Sequence, residues 1–177
     1  MATRSRAVVP LNETAASVLG FLSIGPLTGW DMNALAQVSV GFFWNMTRSQ
    51  IYRELQALQD FGFVEVEETG SRNARRFHLT VKGRRRLKQW LAEPPGDSIE
   101  RNPFLVKLFF ADQMEPSQRK NLLALARAQH EGALATLEDV VTMAEQLSPY
   151  AAATATYGIA VERAILEWFD QTAASLR

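Results

Sequence analysis

The chain has 177 residues, 47% hydrophobic and 21% charged, a composition typical of one or two small globular domains rather than of a disordered chain. Its longest stretch without charge, residues 14–30, is interrupted by Gly20 and Pro26, so we expect no membrane segment and no membrane partner. The absence of cysteine excludes disulfides and thiolate chemistry, and it is compatible with a cytoplasmic protein, which we expect here.

Charge divides the chain into two unequal halves. Residues 1–93 hold twelve Lys and Arg against eight Asp and Glu, a net charge of +4, whereas residues 94–177 carry a net charge of −4. A basic half suits a polyanionic partner, although chance asymmetry would give the same numbers. Pro94, Pro95 and Gly96 stop any helix that arrives there, so we expect one domain over 1–93 and another over 94–177.

The first half predicts three helices, a β-hairpin and a fourth helix. Asn12 is a suitable N-cap for the first helix and Thr28 for the second. Thr47, with Gln50 three residues later, matches a capping box that begins the third helix, which we expect to end at Gly62.

Alternating apolar and polar residues then predict a hairpin. Residues 63–67 and 76–79 alternate as half-buried strands do, and residues 69–73 have turn composition. Thr80 is a suitable cap for a fourth helix. Four residues are expected on its apolar side: Val81, Leu87, Trp90 and Leu91.

The second half predicts helices throughout. Residues 104–110 are strongly apolar, and Pro116 suits the first turn of a long helix that reaches Leu147. Late in that helix a seam is spaced as in coiled coils: Ala133, Leu137, Val140, Ala144 and Leu147. After Pro149 a last helix is expected to place five residues near one face: Tyr157, Val161, Ala164, Ile165 and Trp168.

Three helices followed by a hairpin is the order of a winged helix-turn-helix, so we expect a mainly α protein with a small β-hairpin and a helical second domain. The third helix would enter the major groove. Ile51, Leu55 and Leu58 form its core-facing stripe, with Ser49 and Arg53 opposite and only Glu54 placing an acid near the reading surface. The candidate base-reading residues are Thr47, Arg48, Ser49, Gln50, Tyr52 and Arg53.

Basic residues in and after the hairpin extend this surface. Arg72, Arg75 and Arg76 lie at or near its tip, and Lys82 and Arg84 open the fourth helix. Such side chains neutralise DNA phosphates, and those at the tip are also suited to a minor groove. For any one of these residues a solvated surface position is the alternative.

Other functional classes find little support. We find no phosphate-binding loop, no catalytic Ser-His-Asp pattern and no paired carboxylates, so no enzyme activity or cofactor is expected. Two distant histidines without cysteine make a poor metal site, and none is expected. The alternative that stays open is a winged helix used only for protein–protein contact.

The chain resembles the PadR family of transcriptional regulators. Residues 16–22 and 25–32 are similar to its opening helix and following turn, and residues 49–55 with Gly62 to its recognition helix. Residues 77–80 with Gly83 resemble the end of its wing, although Phe77 replaces a tyrosine and Asn73 a frequent proline. Residues 103–110 and 157–168 resemble parts of its longer C-terminal domain.

The resemblance implies a homodimer held by the C-terminal helices, bound to a near-palindromic operator and usually repressing it. In some members a small aromatic effector releases the DNA. The apolar C-terminal helices independently favour a dimer, because they exceed what a small half-domain needs for its own core. Six aromatic residues are candidates for an effector pocket or for the dimer interface, with ordinary core packing as the alternative: Phe109, Phe110, Tyr150, Tyr157, Trp168 and Phe169.

Overall fold

The computed structural model describes residues 11–68, 75–96 and 101–172. The chain divides into two compact units, Met1–Gly96 and Asp97–Arg177. The elements of the first unit are α1 (Glu13–Ile24), β1 (Leu27–Thr28), α2 (Gly29–Gln37), a 3-10 turn (Val40–Phe42), α3 (Arg48–Asp60), β2 (Val64–Glu68), β3 (Arg75–Leu79) and α4 (Val81–Leu91).

The predicted helix caps of the first unit are confirmed. Asn12 accepts from the N–H of Ala15 at 2.7 Å, and Thr28, Thr47 and Thr80 each accept from the N–H three residues on. Each cap satisfies an N–H that the first helical turn leaves without a partner. These local side-chain bonds therefore fix where the four helices begin.

The strands form a three-stranded antiparallel sheet in the order β1-β3-β2 rather than an isolated hairpin. β2 pairs with β3 so that Val66 faces Phe77, and β1 pairs Leu27 with Phe77 and Thr28 with Arg76. The hairpin prediction is thus confirmed but incomplete, because β1 joins the other edge of β3. The predicted turn at residues 69–73 lies outside the described residues.

Helix α3 ends in a Schellman motif. Gly62 has a positive φ of 69°, its N–H donates to the Gln59 carbonyl at 2.8 Å, and the Phe63 N–H donates to the Leu58 carbonyl at 2.9 Å. Glycine adopts this left-handed conformation without a steric penalty. The predicted stop at Gly62 is confirmed, and it directs the chain from α3 into β2.

The first unit has its own hydrophobic core. It includes Leu19 of α1, Ile51 and Leu55 of α3, Val64 of β2 and Leu87 of α4, all buried. The apolar stripe predicted for α3 is confirmed, since Ile51, Leu55 and Leu58 are all at most 2% exposed. The opposite, polar side of α3 therefore faces away from this core.

The apolar side predicted for α4 is partly wrong. Leu87 is buried and Trp90 packs against the core, but Val81 and Leu91 are exposed. Helix α4 approaches the sheet through Gly83, whose position leaves no room for a Cβ beside the Phe63 carbonyl. This close backbone contact places Gly83 on the inner face and Val81 on the opposite side of the helix.

The second unit consists of helices and one 3-10 turn within residues 101–172. Its elements are α5 (Pro103–Phe109), the turn (Ala111–Gln113), α6 (Pro116–Leu147) and α7 (Pro149–Thr172). The predicted bounds of α6 are confirmed. No helix in the described part of the chain is both long and apolar enough to span a membrane.

Helices α6 and α7 form an antiparallel hairpin. Leu137 of α6 is buried beside Gly158 of α7, where an added Cβ would lie 3.1 Å from the leucine side chain. Two ion pairs and one hydrogen bond join the two helices: the ion pairs are Arg127–Asp170 at 2.6 Å and Arg163–Glu138 at 2.7 Å, and the hydrogen bond is His130–Glu162 at 2.7 Å. The hydrogen bond that Arg127 donates to Asp170 raises the pKa of Arg127, with a second contribution from the bond to Glu131, so this guanidinium stays charged at any working pH.

The face predicted for α7 packs only partly within the unit. Tyr157, Val161 and Ala164 are exposed and Ile165 and Trp168 are half-buried, whereas the buried residues are Ala155, Ile159 and Phe169. The helix has apolar residues on two sides, and periodicity alone does not choose between them. The predicted seam of α6 is likewise only partly buried, since Leu137 is buried but Leu147 is exposed.

Candidate nucleic-acid interface

The first turn of α3 is stabilised by the predicted capping box. Gln50 Oε1 accepts from the Thr47 N–H at 2.8 Å and from the Thr47 hydroxyl at 2.9 Å, while the Gln50 N–H donates to the Thr47 Oγ1 at 3.3 Å. Bidentate recognition of adenine by glutamine needs Oε1 as an acceptor. With the box intact, only the Gln50 Nε2 group is available to a base.

The outward side of α3 is polar and cationic. Thr47, Arg48 and Ser49 are exposed, and the Arg53 side chain is 71% exposed. The Arg53 Nη2 atom lies 3.5 Å from Glu54 Oε1, a distance at which a guanidinium is only weakly held. Glu54, the acid predicted near this surface, is only 9% exposed, and one of its carboxylate oxygens makes this contact with Arg53.

Tyr52 is seated between two other residues of the first unit. Its ring packs on Gly29, the first residue of α2, where an added Cβ would lie 2.6 Å from Tyr52 Cζ. The Arg48 guanidinium lies 5.6 Å from the centre of the same ring, within the range of a cation–π contact. Thr28, the residue before Gly29, pairs with Arg76 of β3. Residues 28–29 therefore adjoin both α3 and the hairpin of β2 and β3, which we call the wing.

The wing strand presents its two arginines on opposite faces. Arg75 and Arg76 are both exposed, and consecutive residues of a strand point to opposite sides. Arg76 shares its face with Glu67, directly opposite on β2, and with His78, whose Nε2 lies 2.9 Å from Glu67 Oε2. Arg75 lies on the same side of the strand as the buried Phe77. Arg72 lies outside the described residues.

The two basic residues predicted at the start of α4 have different environments. Lys82 Nζ donates to the Phe61 carbonyl at the end of α3 and lies 5.0 Å from the centre of the Phe63 ring. Its charge therefore sits at the negative end of the α3 dipole. Arg84 is exposed and forms no ion pair with any side chain that the structure describes.

The six aromatic residues of the second unit do not form a single cluster within one chain. Trp168 and Phe169 pack against each other and against Phe104, a residue that the sequence did not single out. Phe109 and Phe110 form an edge-to-face pair of exposed rings. Tyr150 and Tyr157 are 83% and 72% exposed.

Sequence reasoning missed one contact of the first unit, between Gly29 and Tyr52. Gly29 contacts Tyr52 across 23 positions of sequence, and no local pattern announces such a contact. One signal was present, since glycine stands at the first position of a helix although most other residues suit that position better. Such a glycine indicates either a special backbone conformation or a close neighbour.

Comparison with known proteins agrees with this architecture. Residues 18–89 match the transcriptional regulator PadR-like family, and residues 100–177 match the family described as virulence activator alpha C-term. The negative transcriptional regulator PadR of Bacillus subtilis (strain 168) is 28% identical over 140 residues, which cover 75% of this chain and 77% of that protein.

Solved structures share the fold over nearly the whole chain. The PadR-like transcriptional regulator BC1756 from Bacillus cereus superposes with a TM-score of 0.83 at 20% identity, covering 93% of this chain and 98% of the other. Bacillus subtilis PadR in complex with operator DNA gives 0.79 at 24% identity, covering 94% and 100%. The same protein in complex with p-coumaric acid gives 0.72 at 22% identity, covering 94% and 98%.

The two matched families account for both units, and the matched proteins are regulators rather than enzymes. The fold, the helix order and the polar outward side of α3 are those of a winged-helix DNA-binding protein. Over residues 18–89 the chain belongs to the PadR-like family of transcriptional regulators.

Proposed function

We propose that the protein is a homodimeric, sequence-specific repressor that binds a near-palindromic operator. The observation that carries the proposal is the outward side of α3, where Ser49 and Arg53 are exposed and Glu54, the neighbouring acid, is only 9% exposed. A hydroxyl and a guanidinium in this position suit base edges in the major groove. The unit around residues 1–93 would be the DNA-binding domain.

Three further arginines suit the DNA backbone. Arg75, Arg76 and Arg84 are exposed, and cationic side chains at these places would neutralise phosphates beside the recognition helix. Arg72 belongs to the same proposal. We assign Lys82 a smaller part, because its ammonium group already donates to the Phe61 carbonyl.

The proposed dimer rests on the second unit, residues 94–177. A single chain leaves a large apolar surface open there, and a second copy related by a two-fold axis would bury it. The exposed apolar residues of this unit are Leu105, Val106, Phe109, Phe110, Leu125, Met143, Leu147, Tyr150, Tyr157 and Val161. Two linked recognition helices would then contact two half-sites about one helical turn of DNA apart.

Repression is supported by the relative named a negative transcriptional regulator. A dimer bound across an operator excludes other proteins from the same DNA, which is the simplest way to repress. Such a role would place the protein in the compartment that holds the genome, in agreement with the expected cytoplasmic location.

A small aromatic effector completes the proposal. The structure of Bacillus subtilis PadR with p-coumaric acid supports it, and so does the aromatic cluster of Phe104, Trp168 and Phe169 with His130 beside it. A ligand in the second unit would change the spacing of the two recognition helices and so weaken operator binding, by about 1–3 kcal/mol. Aromatic acids whose binding is detected by intrinsic tryptophan fluorescence should lower operator affinity; equal affinity with and without each bound acid would contradict this part.

Charge reversal tests the DNA-binding surface. Arg53→Glu should weaken binding to a selected duplex by about 100-fold or more, since a base contact becomes a repulsion. Arg75→Glu should weaken binding to all sequences and lower the slope of affinity against salt by about one or more. Lys120→Glu, an exposed residue of α6, is the control with the same change in charge. Unchanged affinity in Arg53→Glu, measured by fluorescence anisotropy, would overturn this assignment of α3.

A further inference from the structure

The backbone conformation of α2 does not require a glycine at position 29, where the chain contacts Tyr52. Gly62 is the described glycine with a positive φ, so Gly29 has a conformation that other residues adopt as readily. The position has no room for a side chain, since a Cβ at Gly29 would lie 2.6 Å from Tyr52 Cζ and 2.9 Å from the Tyr52 hydroxyl oxygen. Glycine is therefore needed here for the sake of the Tyr52 ring.

The clash would act on a part of the molecule that moves easily. The three atoms nearest to the added Cβ belong to the far end of the side chain of Tyr52, a residue that is 41% exposed, so the ring has room to swing outward. Alanine is also a better helix former than glycine. A side chain at Gly29 would thus cost the fold little but would displace the Tyr52 ring.

The Tyr52 ring in turn supports Arg48. The guanidinium lies 5.6 Å from the ring centre, and stacking restricts an otherwise flexible side chain at the first position of α3. A side chain held in its binding orientation loses less entropy when it meets its target. Moving the ring would release Arg48 as well.

We propose that Gly29 is a positioning residue for DNA recognition, because its missing side chain seats the Tyr52 ring and, through it, the Arg48 guanidinium on the reading surface. Gly29 follows Thr28, which pairs with Arg76 of the wing. Residues 28–29 therefore contact both of the elements that would face DNA, α3 and the wing. The inference rests on the proposed function, since it requires that α3 reads DNA.

The experiment compares two glycine-to-alanine variants on two duplexes. Gly29→Ala introduces the clash, and Gly20→Ala is the matched control in α1, where an added Cβ meets nothing within 4 Å. The first duplex is the one that the wild-type protein selects from a random pool, and the second has the same composition in scrambled order. Gly29→Ala should bind the selected duplex about tenfold more weakly, the size of one recognition contact. Binding to the scrambled duplex and the melting temperature should stay as in Gly20→Ala.

A double-mutant cycle tests the route through Tyr52. In a Tyr52→Ala background the ring is gone, so Gly29→Ala should have no further effect on affinity. An equal loss in both backgrounds overturns the inference, and so does wild-type affinity in Gly29→Ala. A large fall in melting temperature also overturns it, because the added methyl group would then disturb more than one side chain.

A measurement without DNA separates this inference from the proposed function. The chain has three tyrosines, so the ring signals of Tyr52 in a tyrosine-labelled NMR spectrum can be assigned by their loss in Tyr52→Phe. Gly29→Ala should shift these signals and Gly20→Ala should not; unshifted signals overturn the inference. A wild-type protein that selects no duplex would instead overturn the proposed function, and with it the role of Gly29 in recognition.

Discussion

The two units differ in how much of their apolar surface each buries alone. In the first unit, seventeen hydrophobic residues of 11–68 and 75–96 are buried in one cluster. In the second, residues 101–172 include five, namely Ala126, Leu137, Ala155, Ile159 and Phe169. The first unit thus has an extensive core as a single chain, whereas the second buries little apolar surface alone, which agrees with the proposed dimer.

The two units also differ in where their charged residues lie. The first unit places charged residues where DNA is expected, on α3 and on the wing, and leaves Glu54 only 9% exposed. The second unit uses its charged groups between its own helices, in the two ion pairs and the His130–Glu162 hydrogen bond that join α6 to α7. This difference suggests a division of labour in which one unit supplies the contacts to DNA and the other the assembly.

The largest expected effect comes from breaking the proposed assembly. Val161→Asp places a charge in the outward apolar stripe of α7, where a second copy would bury it without a counter-charge. The variant should sediment as a monomer, and operator affinity should fall by about 100-fold or more as the second half-site is lost. Thr156→Asp, on the same helix but away from that stripe, is the control. A Val161→Asp protein that stays dimeric would contradict this surface assignment.

The second-largest effect is expected on the stability of the first unit, without a change in dimerisation. Gly83→Ala forces a methyl group against the Phe63 carbonyl and should destabilise the first unit by about 3 kcal/mol, seen as a lower melting temperature. Gly20→Ala, with open space around its Cβ, should be neutral or slightly stabilising. Both variants should stay dimeric in sedimentation. Loss of the dimer in Gly83→Ala would show that dimerisation depends on the stability of the first unit.

The smallest effect distinguishes two basic residues of α4. Lys82→Met removes the bond to the Phe61 carbonyl and should lower the free energy of unfolding by about 1 kcal/mol, with little change in DNA affinity. Arg84→Met should leave stability unchanged and lower the salt slope of DNA binding by about one. Denaturant unfolding and a salt titration measure the two quantities. The reverse pattern would assign the phosphate contact to Lys82 instead.

Features with local causes could be predicted from the sequence. The caps at Asn12, Thr28, Thr47 and Thr80 and the stop at Gly62 depend on residues within four positions, and all were found. The start of α6 at Pro116 follows for the same reason. Such interactions act in the chain before tertiary structure forms, and their signatures are therefore visible in sequence.

Features that depend on distant partners could not be predicted. Strand β1 has two residues and exists because β3 pairs with it some fifty positions later. Lys82 bonds to a carbonyl 21 positions away, and Gly29 adjoins a ring on another helix. For α7, both sides are apolar, so the choice of Ile159 over Val161 as the inner residue depends on α6. Composition and periodicity contain no information on these partners.

Selection from a random pool of duplexes tests the central claim most directly. The wild-type protein is titrated over a range of salt concentrations, and the DNA that stays bound is sequenced. The account predicts an inverted repeat with half-sites about one helical turn apart, and an affinity that falls steeply as salt rises. Recovery of no motif, or of a lone half-site, would contradict a dimeric, sequence-specific DNA-binding protein.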